Sequence, residues 1–128
     1  MKNLVQGPYS TVQYTEPNVA AISAGDVVVL GGTDAKKVRV GVAVTDIAQA
    51  GTGPVAISGC FRLPKVSAAV IKQGDSVNWD SSEGKVDDNA HTTGAGDVAQ
   101  FGMAAEAGAN LQTEINVWID EPGTYDAA

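Results

Sequence analysis

At 128 residues the chain is one domain, large enough to bury roughly two-thirds of its unfolded surface without disulfide or metal support. Its apolar residues are mostly Ala and Val, with two Trp, three Tyr, two Phe, fifteen Gly and a single Cys, which points to short strands and tight turns and excludes both an intramolecular disulfide and a cysteine zinc cluster. Net charge is −7, with all eight basic residues before position 86 and eight acids without a base in residues 87–128, so nucleic acid is not expected as a partner.

Residues 1–8 read as a polar arm closed by Gly7 and Pro8, with no apolar leader. No run approaches the ~20 apolar residues of a membrane span, so no membrane partner is expected. The chain reads as a soluble product of a reducing cytoplasm. Residues 9–119 form the expected β domain. Its first strand spans 9–15, with Val12 and Tyr14 on one face. A turn at Ala24, Gly25 and Asp26 leads into a buried run ending at Leu30. Val38, Val40, Val42 and Val44 then alternate with Lys37, Arg39, Gly41 and Ala43, the period of a strand, and Gly41 leaves room for close approach. Residues 46–54 read as a turn region and 55–61 as the next strand.

Residues 64–72 are the one helical candidate: Pro64 suits a first helical position, Val66 and Val70 are four apart, and Gly74 supplies a stop. An irregular loop is the other reading. A strand over 76–80 places Val77 and Trp79 inward, and Ser81 to Gly84 make a hairpin turn. Residues 87–96 read as loop and 98–106 as a small-residue strand around Gly102. Residues 111–119 alternate as the longest strand, with Trp118 on its polar side, either under a loop or in an interface. Residues 120–128 read as an acidic, mobile tail. Two stretches repeat one order: Gly25-Asp26, a strand around Gly41, a turn and a strand at 55–57, then Gly74-Asp75, a strand around Gly102, a turn and a strand at 115–117. A β-unit used twice suggests a closed β-structure.

A search for chemistry ends without a catalytic constellation. Asp87, Asp88, Asn89 and His91 are close enough to suggest calcium, but the alternating ligands, Gly and distal Glu of an EF-hand are missing. Cys60 with His91 could form a dyad, yet Cys60 lies between Gly59 and Phe61 in an apolar strand setting and reads as an inert buried thiol. Carboxylate pairs such as Asp75 with Asp80, or Glu114 with Asp120, are better read as turn-makers. Gly31-Gly32-Thr33 and Gly94-Ala95-Gly96 lack the Lys-Ser/Thr and the long helix of a phosphate loop. The residues therefore give no cofactor, no metal and no enzyme. Two other readings are a non-catalytic small-molecule or glycan-binding β-module and an active site around His91.

The order of elements resembles a family of small virion proteins, the phage capsid cement or decoration proteins. The carrying segments are Met1-Lys2-Asn3-x-Val5-Gln6-Gly7, Ser23-Ala24-Gly25-Asp26-Val27-Val28 and Val40-Gly41-Val42-Ala43, followed by Ile57-Ser58-Gly59-Cys60-Phe61-Arg62-Leu63-Pro64-Lys65, Gln73-Gly74-Asp75-Ser76-Val77-Asn78-Trp79-Asp80 and Gly84-Lys85-Val86. The resemblance implies a small all-β barrel or jelly-roll-like sandwich. Such proteins bind the outside of an assembled phage head and bridge major capsid subunits as dimers or trimers. It implies the major capsid protein and the chain itself as partners, a place on the capsid exterior, and no catalytic residues. Expected contacts to capsid or subunit are Val5, Gln6 and Tyr9 near the first arm, the basic set Lys36, Lys37, Arg39, Arg62 and Lys65, and Trp118.

Overall fold

The computed structural model describes residues 3–15, 20–31, 37–90 and 92–126. The strands in chain order are β1 (Leu4–Gln6), β2 (Thr11–Thr15), β3 (Val27–Leu30), β4 (Lys37–Ala43), β5 (Thr52–Ala56), β6 (Cys60–Pro64), β7 (Ser76–Asp80), β8 (Lys85–Asp88), β9 (Val98–Ala104), β10 (Glu114–Trp118) and β11 (Gly123–Tyr125). Antiparallel pairing joins them along the path β1-β6-β10-β9-β11-β4-β5-β2, with β3 on β4, β7 on β9 and β8 on β7. The sheet curls into a half-barrel, the all-β body expected, and no helix occurs among the described residues.

The repeated order of the sequence is a repeated hydrogen-bond pattern. Gly25 and Gly74 both turn the chain at positive φ (90° and 92°), where a side chain is disfavoured. Asp26 and Asp75 each close the turn by accepting a backbone N–H three residues back, from Ser23 at 3.0 Å and Lys72 at 3.1 Å. The turn glycines donate to Ala43 O and Ala104 O, and those two alanines donate back to Asp26 O and Asp75 O. Ile22 exchanges backbone hydrogen bonds with Ile47, and Ile71 does the same with Gly108. Val28 lies opposite Gly41, and Val77 lies opposite Gly102. Val55 then pairs with Ala43 and Val12, as Val117 pairs with Ala104 and Phe61. Thus β2-β3-β4-β5 and β6-β7-β9-β10 are two copies of one four-stranded unit. The second copy has β8 inserted after β7 and β1 laid along β6.

The central glycines allow the two copies to close. A Cβ on Gly102 would collide with the carbonyl oxygen of Trp118, and one on Gly41 with Val55 Cγ1, while standing 2.8 Å from Ala56 O. These obstacles include backbone, which cannot rotate away as a side chain end can. Gly102→Ala is therefore expected to cost about 1–3 kcal/mol, the usual range for overpacking, read as a lower urea midpoint. An unchanged midpoint would show that β9 and β10 part freely.

Packing makes two clusters. The main one gathers Phe61, Leu63, Ile71, Val77, Phe101, Ile115 and Val117 from the second unit with Val38, Val40, Val42 and Ala56 from the first. Trp79 meets Phe101 edge-on, ring centroids 6.4 Å apart. A smaller cluster of Val28, Ala43, Ile47 and Val55, with Tyr14, Ile22 and Leu30 half-buried around it, lies on the other face of the first unit. The first unit is consequently apolar on both faces.

Several segments differ from the sequence reading. Residues 55–61 are not one strand: β5 ends at Ala56 and β6 starts at Cys60, because Gly59 turns at φ 112°. Residues 64–72 take the loop alternative, as Lys65, Val66 and Ile71 donate to Thr113, Val86 and Gly108 across the fold rather than along a helix. Strand β10 begins only at Glu114, and Leu111 sits 78% exposed in a turn at φ 74°. Strand β8 runs to Asp88, two residues into the expected loop.

Both segments read as arms carry strands. Asn3 and β1 lie along β6: Asn3 O accepts the Arg62 N–H at 3.0 Å, and Asn3 Nδ2 donates to Arg62 O and Gly25 O. In the expected mobile tail, β11 pairs with β4 on one side and β9 on the other. Among the named strands, it is the only ladder between the two four-stranded units.

Candidate functional site

Directly opposed residues of an antiparallel pair point to the same face. On the outer face of the second unit, Arg62 is opposite Asn116, Cys60 opposite Trp118, and Met103 opposite Trp118 on the other side. Arg62 is half-exposed and held by three neighbours: Glu106 at 3.3 Å, Glu114 at 3.4 Å and Asn116 at 3.1 Å. Exposed pairs of this kind contribute about 0.2–1 kcal/mol each, so their effect is mainly to orient the guanidinium and cancel its charge.

Beside them Met103 is 42% exposed and Trp118 half-buried. With Asp120 and Glu121 they line an open cleft of about 240 Å³. Asp120 is fixed in place: its Oδ1 accepts the Gly59 N–H at 2.8 Å, and its carbonyl oxygen accepts Arg39 Nη1 at 2.8 Å. The equivalent positions of the first unit, Val42 opposite Ala56, are fully buried in the main core. The second unit thus leaves open the face by which the first unit packs.

The other expected contact residues are dispersed. Val5 is 49% exposed and Gln6 exposed on β1, while Tyr9 is half-buried with its ring edge-on to Phe61 at 6.5 Å. Lys36 lies outside the described residues. Lys37 is exposed and donates to Thr124 Oγ1 at 3.1 Å, and Arg39 is half-buried. Lys65 is 1% exposed. Its ammonium donates to four carbonyls: Val66 at 2.8 Å, Ser67 at 3.4 Å, Ala109 at 3.0 Å and Gln112 at 3.2 Å. Burial lowers its pKa below the ordinary 10.5, against the pull of Asp87 and Asp88. Lys65 is an interior clip between two turns, so the basic residues do not gather into one patch. Alternation carried that signal: Phe61, Leu63 and Lys65 share the inward parity of β6.

Residues considered for chemistry serve the turns. Asp87 Oδ1 accepts the Asp88 N–H, Asp88 Oδ1 accepts the Ala90 N–H, and Asp80 Oδ1 accepts from Ser82 and Glu83. His91 lies outside the described residues, and among those described no three metal-ligating side chains come together. Cys60 is buried, and burial, then Glu106 and Asp120, raise its thiol pKa, which disfavours the reactive thiolate. A second cleft, of about 340 Å³, runs past Gly25, Asp26, Pro64 and Gly84, and its one aromatic, Trp79, is only 7% exposed.

These features make an all-β body whose polar side chains mostly hold turns, with an open cleft lined by Met103, Trp118, Asp120 and Glu121. The family model described as phage cement protein matches residues 5–119, nearly the whole chain, and the chain belongs to that family. No curated protein and no solved structure matches it significantly. Family membership gives it a structural role and a place at the phage capsid.

Proposed function

We propose that the protein binds the outer surface of an assembled phage head and stabilises it by bridging major capsid subunits, without catalysis. The observation that carries this reading is the open cleft lined by exposed Met103, half-buried Trp118, Asp120 and Glu121. Interface hot spots favour Trp, and well-packed interfaces place an apolar centre inside a polar rim. The acidic rim suits a basic margin on the capsid side, so charge would orient docking while the apolar pair supplies contact energy. Bridging requires each contact to be only moderately strong, because engaging neighbouring subunits multiplies affinity through effective concentration.

Met103→Lys is expected to reduce occupancy on capsids stripped of the protein by at least tenfold, with its melting temperature unchanged because Met103 is outside both core clusters. Wild-type occupancy by this variant would overturn the assignment of the surface. Attachment is also expected to weaken as salt rises, since the rim charges are exposed and screened over about 8–10 Å near physiological ionic strength. A salt-independent titration would remove the electrostatic part of the reading.

A further inference from the structure

Among the described residues, the internal duplication leaves an edge that one unit covers and the other does not. Strands β2 and β6 are equivalent, pairing with β5 and β10 in the same register: Thr11, Gln13 and Thr15 oppose Ala56, Pro54 and Thr52, as Cys60, Arg62 and Pro64 oppose Trp118, Asn116 and Glu114. On β6 the outward backbone groups of Arg62 are taken by Asn3, at the start of β1. On β2 the equivalent residue is Gln13. Ser10 O accepts the Ile57 N–H, so the hydrogen-bonded positions alternate from there, and Pro54 O is turned away from Gln13 to accept the Val44 N–H. Thr11, Gln13 and Thr15 therefore direct their backbone N–H and C=O away from β5. Among the described residues β2 pairs with β5 alone.

An open edge is a template for another strand, and soluble proteins blunt such edges with Lys, Pro or a bulge. Strand β8, which among the named strands pairs only with β7 and meets residues 65–66 at Val86, carries Lys85, Asp87 and Asp88. Strand β2 reads Thr-Val-Gln-Tyr-Thr, without charge, proline or register shift. It is also close to a palindrome. Laid antiparallel on a second copy of itself about Gln13, it pairs Thr11 with Thr15, Val12 with Tyr14 and Gln13 with Gln13. The outward groups of Thr11, Gln13 and Thr15 then fall opposite one another and form about six hydrogen bonds, two per hydrogen-bonded pair. Thr with Thr and β-branched with aromatic are favourable cross-strand pairs, and no like charges meet at the axis. Tyr14 packs against the small cluster of the first unit and Val12, 39% exposed, lies opposite its Val55, so the pairing would continue that apolar layer across the axis.

We infer that β2 is a homodimerisation edge: two copies of the chain join antiparallel about Gln13 into a continuous sheet, with isologous two-fold symmetry. The pairing is independent of capsid binding and is tested without capsids. Sedimentation velocity of the full chain at micromolar concentration is expected to show a dimer. Gln13→Lys, at an exposed side chain, sets two like-charged residues directly opposite each other at the axis, their Cα atoms about 5.5 Å apart. It is expected to weaken association at least tenfold and leave a monomer of unchanged melting temperature, and an equimolar mixture with Gln13→Glu is expected to restore the dimer. A monomeric wild type, or an oligomer that Gln13→Lys leaves intact, would overturn the inference.

Discussion

A chain ending at Asp120 is expected to lose its cooperative fold, or to melt at least 15 °C below the full chain. Removing β11 strips partners from Lys37 and Val38 on β4 and from Val98 and Ala99 on β9. It also removes the exchange in which Gly96 donates to Asp126 O at 2.7 Å and Asp126 donates to Asp97 O at 2.8 Å, and the Thr93 hydroxyl loses Asp126 Oδ2. At about 0.5–1.5 kcal/mol net per hydrogen bond, these losses sum to several kcal/mol, comparable with the 5–15 kcal/mol that holds an ordinary domain together. Thermal unfolding followed by circular dichroism gives the measurement. A companion variant keeps the chain length: Gly123→Val must fit a side chain where a Cβ would stand 2.5 Å from Val98 Cγ1 and 2.7 Å from Ala99 O. Melting within 3 °C of wild type by both would show that the two units hold together without β11.

Lys65→Met should destabilise the protein by about 3 kcal/mol, since buried polar groups left without partners cost about 1–3 kcal/mol each and some of the four carbonyls can turn to water. For a chain of this length that corresponds to roughly 10 °C in melting temperature. Methionine keeps most of the buried stem, so the change reports mainly the lost donors. Faster hydrogen exchange is expected around Leu111 and Gln112, whose turn the ammonium clips. The pH dependence has a definite sign. With its folded pKa lowered, Lys65 carries a penalty that is fully present below that value. The penalty is relieved as pH rises through the folded pKa towards 10.5, where the unfolded chain still holds the proton. Wild type should therefore gain stability relative to Lys65→Met over that window. A melting shift under 3 °C, or a stability difference flat in pH, would contradict the clip.

Much of this architecture was legible in residue order. The valine alternation from Val38 located β4, and the Gly-Asp turns marked both units, because those signals depend on local backbone geometry. What escaped depends on distant partners. Nothing local in Gly123, Thr124 and Tyr125 marks a strand, since β4 and β9 create it. Val66 and Val70 suggested a helix, yet Val70 is 62% exposed and the segment is set by bonds to Thr113, Val86 and Gly108. The proposed contact surface was legible at Trp118, an indole on the polar side of a strand. It was not legible at Met103, which only the register beside Trp118 reveals, and Lys65 was grouped with surface cations despite its inward parity.

The two four-stranded units share a backbone, yet one is dry on both faces and the other leaves one face wet. At Val42 and Ala56 any substitution must satisfy a packed interior, whereas at the equivalent positions of the second unit Met103 is exposed and Trp118 only half-buried. Both copies build the shared core, and the duplication leaves only the outer face of the second free to vary, the face proposed for recognition. Evolution can retune the grip of such a protein without rebuilding its body.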